Sequence, residues 1–342
     1  DRDTYEASLS RCGHGAVGAL LTLSDDLGVD TAAFSDTLEA MGVNVTRSFG
    51  TLLRGVAAEL PSSSVLDSVL ALPEVSAAEA DCIITTPSEE PEGEVGSWAA
   101  PMSSGSGGAQ SNAVWGLDRI DARAGLDGSY SYGNSTAAGT RIYILDTGVR
   151  AGHDDFGGRA VGGWSAGCWG ASANTCGASW RWQGVITDSA CHAHGTHCAS
   201  SAAGSTFGVA KGATVVSVQV LDCNGAGTSS STLGGIEWAV EDALAHPSHP
   251  AVISMSIGGN FSAAVNDAVA QAKANGVLVV AAAGNENDDS CNYSPSSSSS
   301  ALTVGATTSS DDRSSFSNHG SCVDVFAPGS AITAAWATTD NA

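Results

Sequence analysis

Apolar runs of strand length and apolar repeats of helical spacing alternate along most of the chain. Ala16 to Leu23 is a short apolar run that reads as a strand. Asp30 to Met41 places Ala32, Ala33, Leu38 and Met41 near helical spacing, and Gly42 supplies a stop. Val43 to Leu60 holds two β-rich runs around Gly50, the pattern of a hairpin. Pro61-Ser62 opens a helix through Val65, Leu66, Val69, Leu70 and Leu72, and Val75 to Thr86 is a closing strand. The order strand-helix-strand-strand-helix-strand over residues 12–86 predicts a small ferredoxin-like α+β domain. That plan alone carries no function.

Residues 87–113 break the pattern. Pro87 to Glu94 is acidic and Pro-containing, and Ser103 to Gly108 is rich in Ser and Gly, so this stretch is expected to be a protease-accessible linker. The character changes again over residues 114–342. Arg141 to Asp146, Thr214 to Leu221, Ala251 to Ile257, Gly276 to Ala283 and Ala301 to Ala306 are runs rich in Val and Ile, separated by helix-like segments at 229–245 and 262–275. Apolar strands alternating with helices predict an α/β unit, a parallel sheet flanked by helices. Functional residues of such sheets gather at the carboxyl ends of strands. Asp146, Ser256 with Gly258-Gly259, and Gly284-Asn285 occupy such ends.

Composition narrows the partners. Asp and Glu number 36 against 13 Lys and Arg, a formal net charge of −23. That balance argues against nucleic acid and against an anionic membrane as partners, and no apolar run reaches the length of a membrane span. The chain opens at Asp1 without a basic and then apolar leader, so any signal peptide is expected to have been removed or to lie outside it. Nine cysteines favour an oxidising compartment, and the odd count leaves at least one thiol unpaired. Asn-X-Ser/Thr triplets at Asn44, Asn134, Asn260 and Asn292 fit secretion.

Candidate chemistry is densest at Cys191-His192-Ala193-His194-Gly195-Thr196-His197-Cys198. The stretch admits a zinc site from Cys191, His194, His197 and Cys198, or a proton-transfer site centred on one histidine. Asp146-Thr147-Gly148 follows a strand, His194-Gly195-Thr196-His197 opens a helix, and Asn285 follows the strand Val277 to Ala283. An Asp that orients a His, a His that moves a proton and an Asn amide placed for an oxyanion are the parts of acyl-transfer catalysis.

With these motifs in their order, the chain resembles the subtilisin-like serine proteases, and within them the proteinase K-like branch. The matching stretches include Trp115 to Asp121, Ile142 to Arg150, His194 to Cys198, Val220 to Gly225, Ser254 to Gly259, Ala281 to Asn285, Asn292 to Pro295, Ser314 to Asn318 and Asp324 to Gly329. The resemblance implies that residues 12–86 are a propeptide that assists folding and then inhibits, with maturation near Gly108-Ala109. It implies that His194 is general base and then acid, that Asp146 holds its tautomer, and that Asn285 donates to the oxyanion. Gly225, Ala226 and Gly227 would pair with substrate backbone as an added strand. Ser256, Ile257, Gly258 and Gly259 would wall an open pocket suited to aliphatic or aromatic side chains. Structural calcium is implied, held by the Asp324 carboxylate with the carbonyls of Ser299 and Ala301; the family has Pro where Ser299 stands. The resemblance pairs Cys191 with Cys223 and Cys291 with Cys322, and leaves Cys198 a buried free thiol behind the histidine. By count, Cys168 pairs with Cys176 inside a Trp-rich insertion at 163–188, and Cys12 with Cys82. A loop of about 30 residues closed in this way gains about 3 kcal/mol in the chain-entropy model.

The nucleophile is the largest departure from the family. Its serine belongs to Gly-Thr-Ser-Met-Ala, shortly after the Ala-Pro-Gly strand. Here Ala327-Pro328-Gly329 and Trp336 are present and the sequence stops at Ala342, so the serine is expected within about ten residues beyond it. Gly227-Thr228-Ser229 imitates three letters of that motif, but Ser230-Ser231-Thr232 follows, which assigns it to the substrate-edge strand. The expected function is a secreted serine endopeptidase zymogen that hydrolyses peptide bonds of proteins through an acyl-enzyme, inactive as residues 1–342. The alternative is an inactive truncated pseudoprotease or a propeptide-type protease inhibitor.

Overall fold

The computed structural model describes residues 2–13, 15–86, 104–105, 108–166 and 192–337. The N-terminal unit runs α1 (Arg2–Arg11), β1 (Ala16–Leu23), α2 (Thr31–Ala40), β2 (Asn44–Phe49), β3 (Gly55–Glu59), α3 (Ser63–Leu70) and β4 (Val75–Thr85). Its strands lie in the order β4-β1-β3-β2, all neighbours antiparallel. This is the ferredoxin-like arrangement expected from the pattern.

Successive strand residues face opposite sides of a sheet, and here both sides are covered. Leu21, Leu23, Val56, Ala58 and Ala78 pack with Phe34 and Leu38 of α2 and Val69 of α3. Leu20, Ala57, Phe49 and Ile84 instead join a cluster with Leu233, Ile236 and Val240 from the second unit. Two-sided burial is why β1 reads as an uninterrupted apolar run rather than an alternating one.

Helix α1 was not signalled by apolar periodicity, because Arg2–Arg11 is mostly polar. Tertiary contacts fix it instead: Ser8 accepts the Ala80 N–H at 2.7 Å, and Cys12, just past the helix, is disulfide-bonded to Cys82.

In the second unit, β5 (Ser104–Gly105), β6 (Ala109–Ser111) and β7 (Ser129–Ser131) form a small antiparallel sheet, with α4 (Trp115–Ile120) between β6 and β7. The end of the expected linker is therefore strand: Gln110 is buried and donates to the Thr206 carbonyl at 3.0 Å. The central sheet is built from β8 (Arg141–Asp146), β9 (Ala160–Ser165) and β10 (Thr214–Gln219), together with strands numbered later. Helix α5 (His194–Ala203) separates β9 from β10. There follow β11 (Ala226–Thr228), α6 (Ser229–Ala245), β12 (Ala251–Met255), β13 (Gly259–Asn260), α7 (Ala263–Ala274), β14 (Leu278–Ala282), β15 (Tyr293–Ser294), β16 (Ala301–Thr307) and β17 (Val325–Pro328). The seven-stranded sheet has the order β17-β16-β14-β12-β8-β10-β9 and is parallel throughout. Strands β13 and β15 pair separately.

Carboxylates join the two units at helix ends. Asp81 of β4 accepts the Ser230 N–H at 2.8 Å and the Ser230 hydroxyl at 2.6 Å, at the first turn of α6. Burial pushes the Asp81 carboxyl up to about 6, while these hydrogen bonds oppose the rise. Glu79 accepts the Ser262 hydroxyl and the N–H groups of Ala263 and Ala264 at the start of α7. Unpaired N–H groups at a helix start favour an anion there. In the reverse direction, Glu237 of α6 accepts the N–H groups of Gly50, Thr51 and Leu52. Hydrogen bonds to a charged partner contribute about 1.5–3 kcal/mol each, comparable with burying one large apolar side chain such as Leu20. The interface is therefore specified by placed carboxylates as much as by apolar area.

Candidate active site

Asp146 ends β8 and His194 begins α5, and the structure brings them together. His194 Nδ1 lies 2.8 Å from Asp146 Oδ1 and 2.9 Å from Oδ2. The Asp146 residue is fully buried, and its Oδ1 also accepts the Thr147 N–H at 2.7 Å. Thr147 Oγ1 accepts the Gly195 N–H at 3.0 Å and donates to the His192 carbonyl, which ties the loop after β8 to the start of α5. A Cβ at Gly195 would run into the Gly148 carbonyl oxygen, so this approach requires glycine. That is the physical content of the Asp-Thr-Gly and His-Gly-Thr motifs.

Burial lowers the affinity of His194 for its proton, but the charge of Asp146, with that of Cys198, holds it well above the usual 6.5. Cys198 Sγ lies 3.8 Å from His194 Nδ1 and is a free, half-buried thiol. Burial raises the Cys198 thiol, and the facing His194 more than offsets this, leaving it lowered to about 7.

The zinc reading of this stretch does not match the geometry. His197 Nε2 pairs with the Ile332 carbonyl at 3.1 Å, and its ring packs edge-on against Trp336. Among the described residues, the group close enough to share an ion is Asp146, His194 and Cys198, whose atoms already meet in the hydrogen bonds above. Cys191 lies outside the described residues, as do Cys168, Cys176 and most of the Trp-rich insertion. Cys223 is disulfide-bonded, and Cys291 pairs with Cys322.

Gly225, Ala226 and Gly227 form an edge that is already occupied. Strand β4 pairs with it antiparallel, Thr85 opposite Ala226, Ile84 opposite Gly227 and Ile83 opposite Thr228. On its other side the same segment bridges Gly258: Thr85 N–H donates to the Gly258 carbonyl at 3.2 Å, and the Gly258 N–H returns at 3.3 Å. The Thr86 N–H donates to the Gly225 carbonyl at 2.8 Å. Ile84 is buried, and a Cβ on Gly259 would press on it at 3.0 Å. Next to Thr85, Ile257 and Gly258 face Ala282, Ala283, Gly284 and Tyr293 around a small cavity. Ser256 is half-buried next to Ile257 in the chain, and half-buried Asn285 follows Gly284.

Sequence reading missed the residues that support this arrangement. Fully buried Asn318 accepts the N–H groups of Glu286 and Asp288 through Oδ1 and donates through Nδ2 to the Ala283 carbonyl. It therefore shapes the loop that carries Asn285. Glu79 and Asp81 had a readable signal, two acids two positions apart in an apolar strand. Ser229 is 2% exposed and donates to the Cys82 carbonyl at 3.4 Å, in the interface between the units. Among the described residues no serine hydroxyl bonds His194.

Asp324 lies beside β16. Its Oδ2 accepts the Thr303 N–H at 2.8 Å, and its own N–H donates to the Thr303 carbonyl at 3.0 Å. A carboxylate together with backbone carbonyls such as those of Ser299 and Ala301 would be an all-oxygen donor set, the type that suits a hard divalent cation.

The family model described as Peptidase_S8, the subtilase family, matches residues 137–342. The chain belongs to the subtilase family. Among its relatives, the extracellular serine proteinase of Thermus sp. (strain Rt41A) is 43% identical over 307 residues, 90% of this chain and 65% of that protein. Alkaline serine exoprotease A of Vibrio alginolyticus is 47% identical over 228 residues, 66% of this subtilase and 39% of that protein. A crystal structure of a cold-adapted subtilisin-like serine proteinase superposes with a TM-score of 0.58 at 46% identity, covering 66% of this chain and 76% of that one. This subtilase thus spans less than two thirds of the length of these two relatives. The Thermus match is longer than segment 137–342, so it includes part of the N-terminal unit.

The His194 shift carries a sign. A histidine whose folded pKa is raised stabilises the fold fully below its unfolded value of about 6.5, and that contribution is lost as pH rises through the elevated folded value. Asp146→Asn is expected to remove this pH-dependent limb and to bring the His194 imidazole resonances back toward an ordinary titration. Thermal unfolding across the neutral range, with histidine NMR, checks both. An unchanged His194 titration in the variant would contradict the assigned cause.

Proposed function

We propose that this subtilase belongs to a secreted serine endopeptidase zymogen that cleaves peptide bonds through an acyl-enzyme. The observation that carries this reading is the buried Asp146–His194 pair beside an edge that already binds an extended peptide, β4. His194 takes the proton of the attacking serine through Nε2 and later returns it to the leaving amine. Asp146 keeps Nδ1 protonated and stabilises the imidazolium that forms. Asn285 donates to the oxyanion. The serine is assigned to sequence beyond Ala342, so residues 1–342 alone are not expected to form an acyl-enzyme.

Substrate binds as β4 does, as a strand between β11 and Gly258, with pocket walls from Ile257, Gly258 and Ala282 to Gly284 receiving an aliphatic or aromatic side chain. Residues 12–86 act as an intramolecular inhibitor, because β4 fills the edge that substrate needs. Release follows cleavage in the stretch that ends near Gly108-Ala109. Secretion is supported by a relative named as extracellular and by the disulfides Cys12–Cys82 and Cys291–Cys322. No described helix is long and apolar enough to cross a membrane.

The full-length protein, freed of residues 1–108, should react with a fluorophosphonate probe at a serine beyond Ala342. His194→Ala should lower kcat/KM on a peptide anilide by more than about 10⁴-fold. Labelling of Ser229, or activity indifferent to His194, would overturn the assignment. The same protein tests the cation site: added calcium should raise the unfolding temperature, and Asp324→Ala should remove part of that rise. A rise unaffected by Asp324→Ala would place calcium elsewhere.

A further inference from the structure

Helix α1 plays no part in the proposed chemistry, yet it is fastened to β4 where that strand changes partners. Up to Cys82, β4 pairs with β1. From Ile83 to Thr85 it pairs with β11. Cys82 therefore stands between Asp81, which holds the start of α6, and Ile83, the first residue on the substrate edge. The disulfide to Cys12 ends at that junction.

Other contacts lay α1 along the same strand. Ser8, 3% exposed, accepts the Ala80 N–H at 2.7 Å and donates to the Tyr5 carbonyl at 2.6 Å. Arg2 reaches Asp67 of α3. Arg11, at the other end of α1, lies 6.0 Å from the Phe261 ring centroid in the second unit. Past Cys12 the chain enters β1 through Gly15, at φ +95°, whose carbonyl accepts the Ile83 N–H. The covalent bond and this hydrogen bond thus hold two adjacent residues of β4. The Arg2–Asp67 pair is exposed, and exposed ion pairs hold little. Opening the disulfide would leave the junction held by hydrogen bonds and by the burial of Ile84, with no covalent tie.

We propose that the Cys12–Cys82 disulfide is a redox latch on the strand that fills the substrate edge. Closed, it fixes Cys82 and with it the seating of Ile83 to Thr86 against β11 and Gly258. Opened, it lets that segment leave the edge while the rest of the unit stays folded. A small dithiol reductant opens it. One thiolate attacks Sγ of half-buried Cys12, Cys82 departs as a thiolate and takes a proton, and the second reductant thiol closes a ring that releases Cys12 as a thiol. Two electrons and two protons pass to the protein, and the reductant leaves as a cyclic disulfide.

The latch rests on reading β4 as the occupant of the substrate edge, but its test requires no hydrolysis, so the two can fail separately. Amide hydrogen exchange is followed by mass spectrometry on the full-length protein, on Cys12→Ala/Cys82→Ala and on each after a dithiol reductant. A Cys291→Ala/Cys322→Ala variant controls for reduction elsewhere. Exchange in a peptide covering residues 83–86 should rise at least tenfold in the Cys12/Cys82 variant and in the reduced wild type. Peptides from β1 and β3 should keep their protection, and reductant should add nothing further to the Cys12/Cys82 variant. Unchanged protection at 83–86 would overturn the proposal. So would loss of protection throughout β1 and β3, because the bond would then hold the unit's fold rather than the strand.

Discussion

The backbone of β4 is shared between two sheets, and much of the molecule is arranged around that sharing. One strand cannot close the small sheet and also extend β11 unless both units are held in one register. That register is set by side chains on β4 itself. Glu79 and Asp81 meet the starts of α7 and α6, and Ile84 enters the apolar cluster below Gly227 and Gly259. The same arithmetic explains the second apolar face of the small sheet. Leu20, Phe49 and Ala57 need α6 as cover, just as Leu21 and Val56 need α2 and α3.

The site follows from the large sheet. Parallel strands deliver their ends to one side, where β8 brings Asp146, β14 leads to Gly284-Asn285 and β12 leads to Ile257-Gly258. Burial of Asp146 keeps water from screening its charge, which acts strongly on the neighbouring His194 and Thr147 N–H. The close backbone approach at Gly195 lets α5 begin beside the strand end rather than a few ångströms away. On the neighbouring edge, β4 lies as an extended strand between β11 and Gly258.

Much of this was legible because local and global preferences agree. The five Val/Ile-rich runs and the helical segments at 229–245 and 262–275 lie where the central strands and helices α6 and α7 are found. The pairing of Asp146 with His194 was readable from glycine-bearing motifs whose backbone needs are narrow. Other features lacked a local signal. Helix α1 has no apolar stripe and depends on Ser8 and Cys12, contacts made far along the chain. The roles of Asn318 and Glu237 depend on backbone N–H groups contributed by loops at 286–288 and 50–52. Residues 109–111, compositionally close to a linker, become a strand because β7 offers an edge and Thr206 offers a carbonyl to Gln110.

Proton transfer at Asp146–His194 and occupation of the edge by β4 would together govern activity. Pre-steady-state kinetics with a chromogenic ester tests both parts on the full-length protein. The expected result is a product burst stoichiometric with enzyme, absent in His194→Ala, and appearing only as residues 1–108 are released. A burst of full size with β4 still seated, or one that survives His194→Ala, would contradict it.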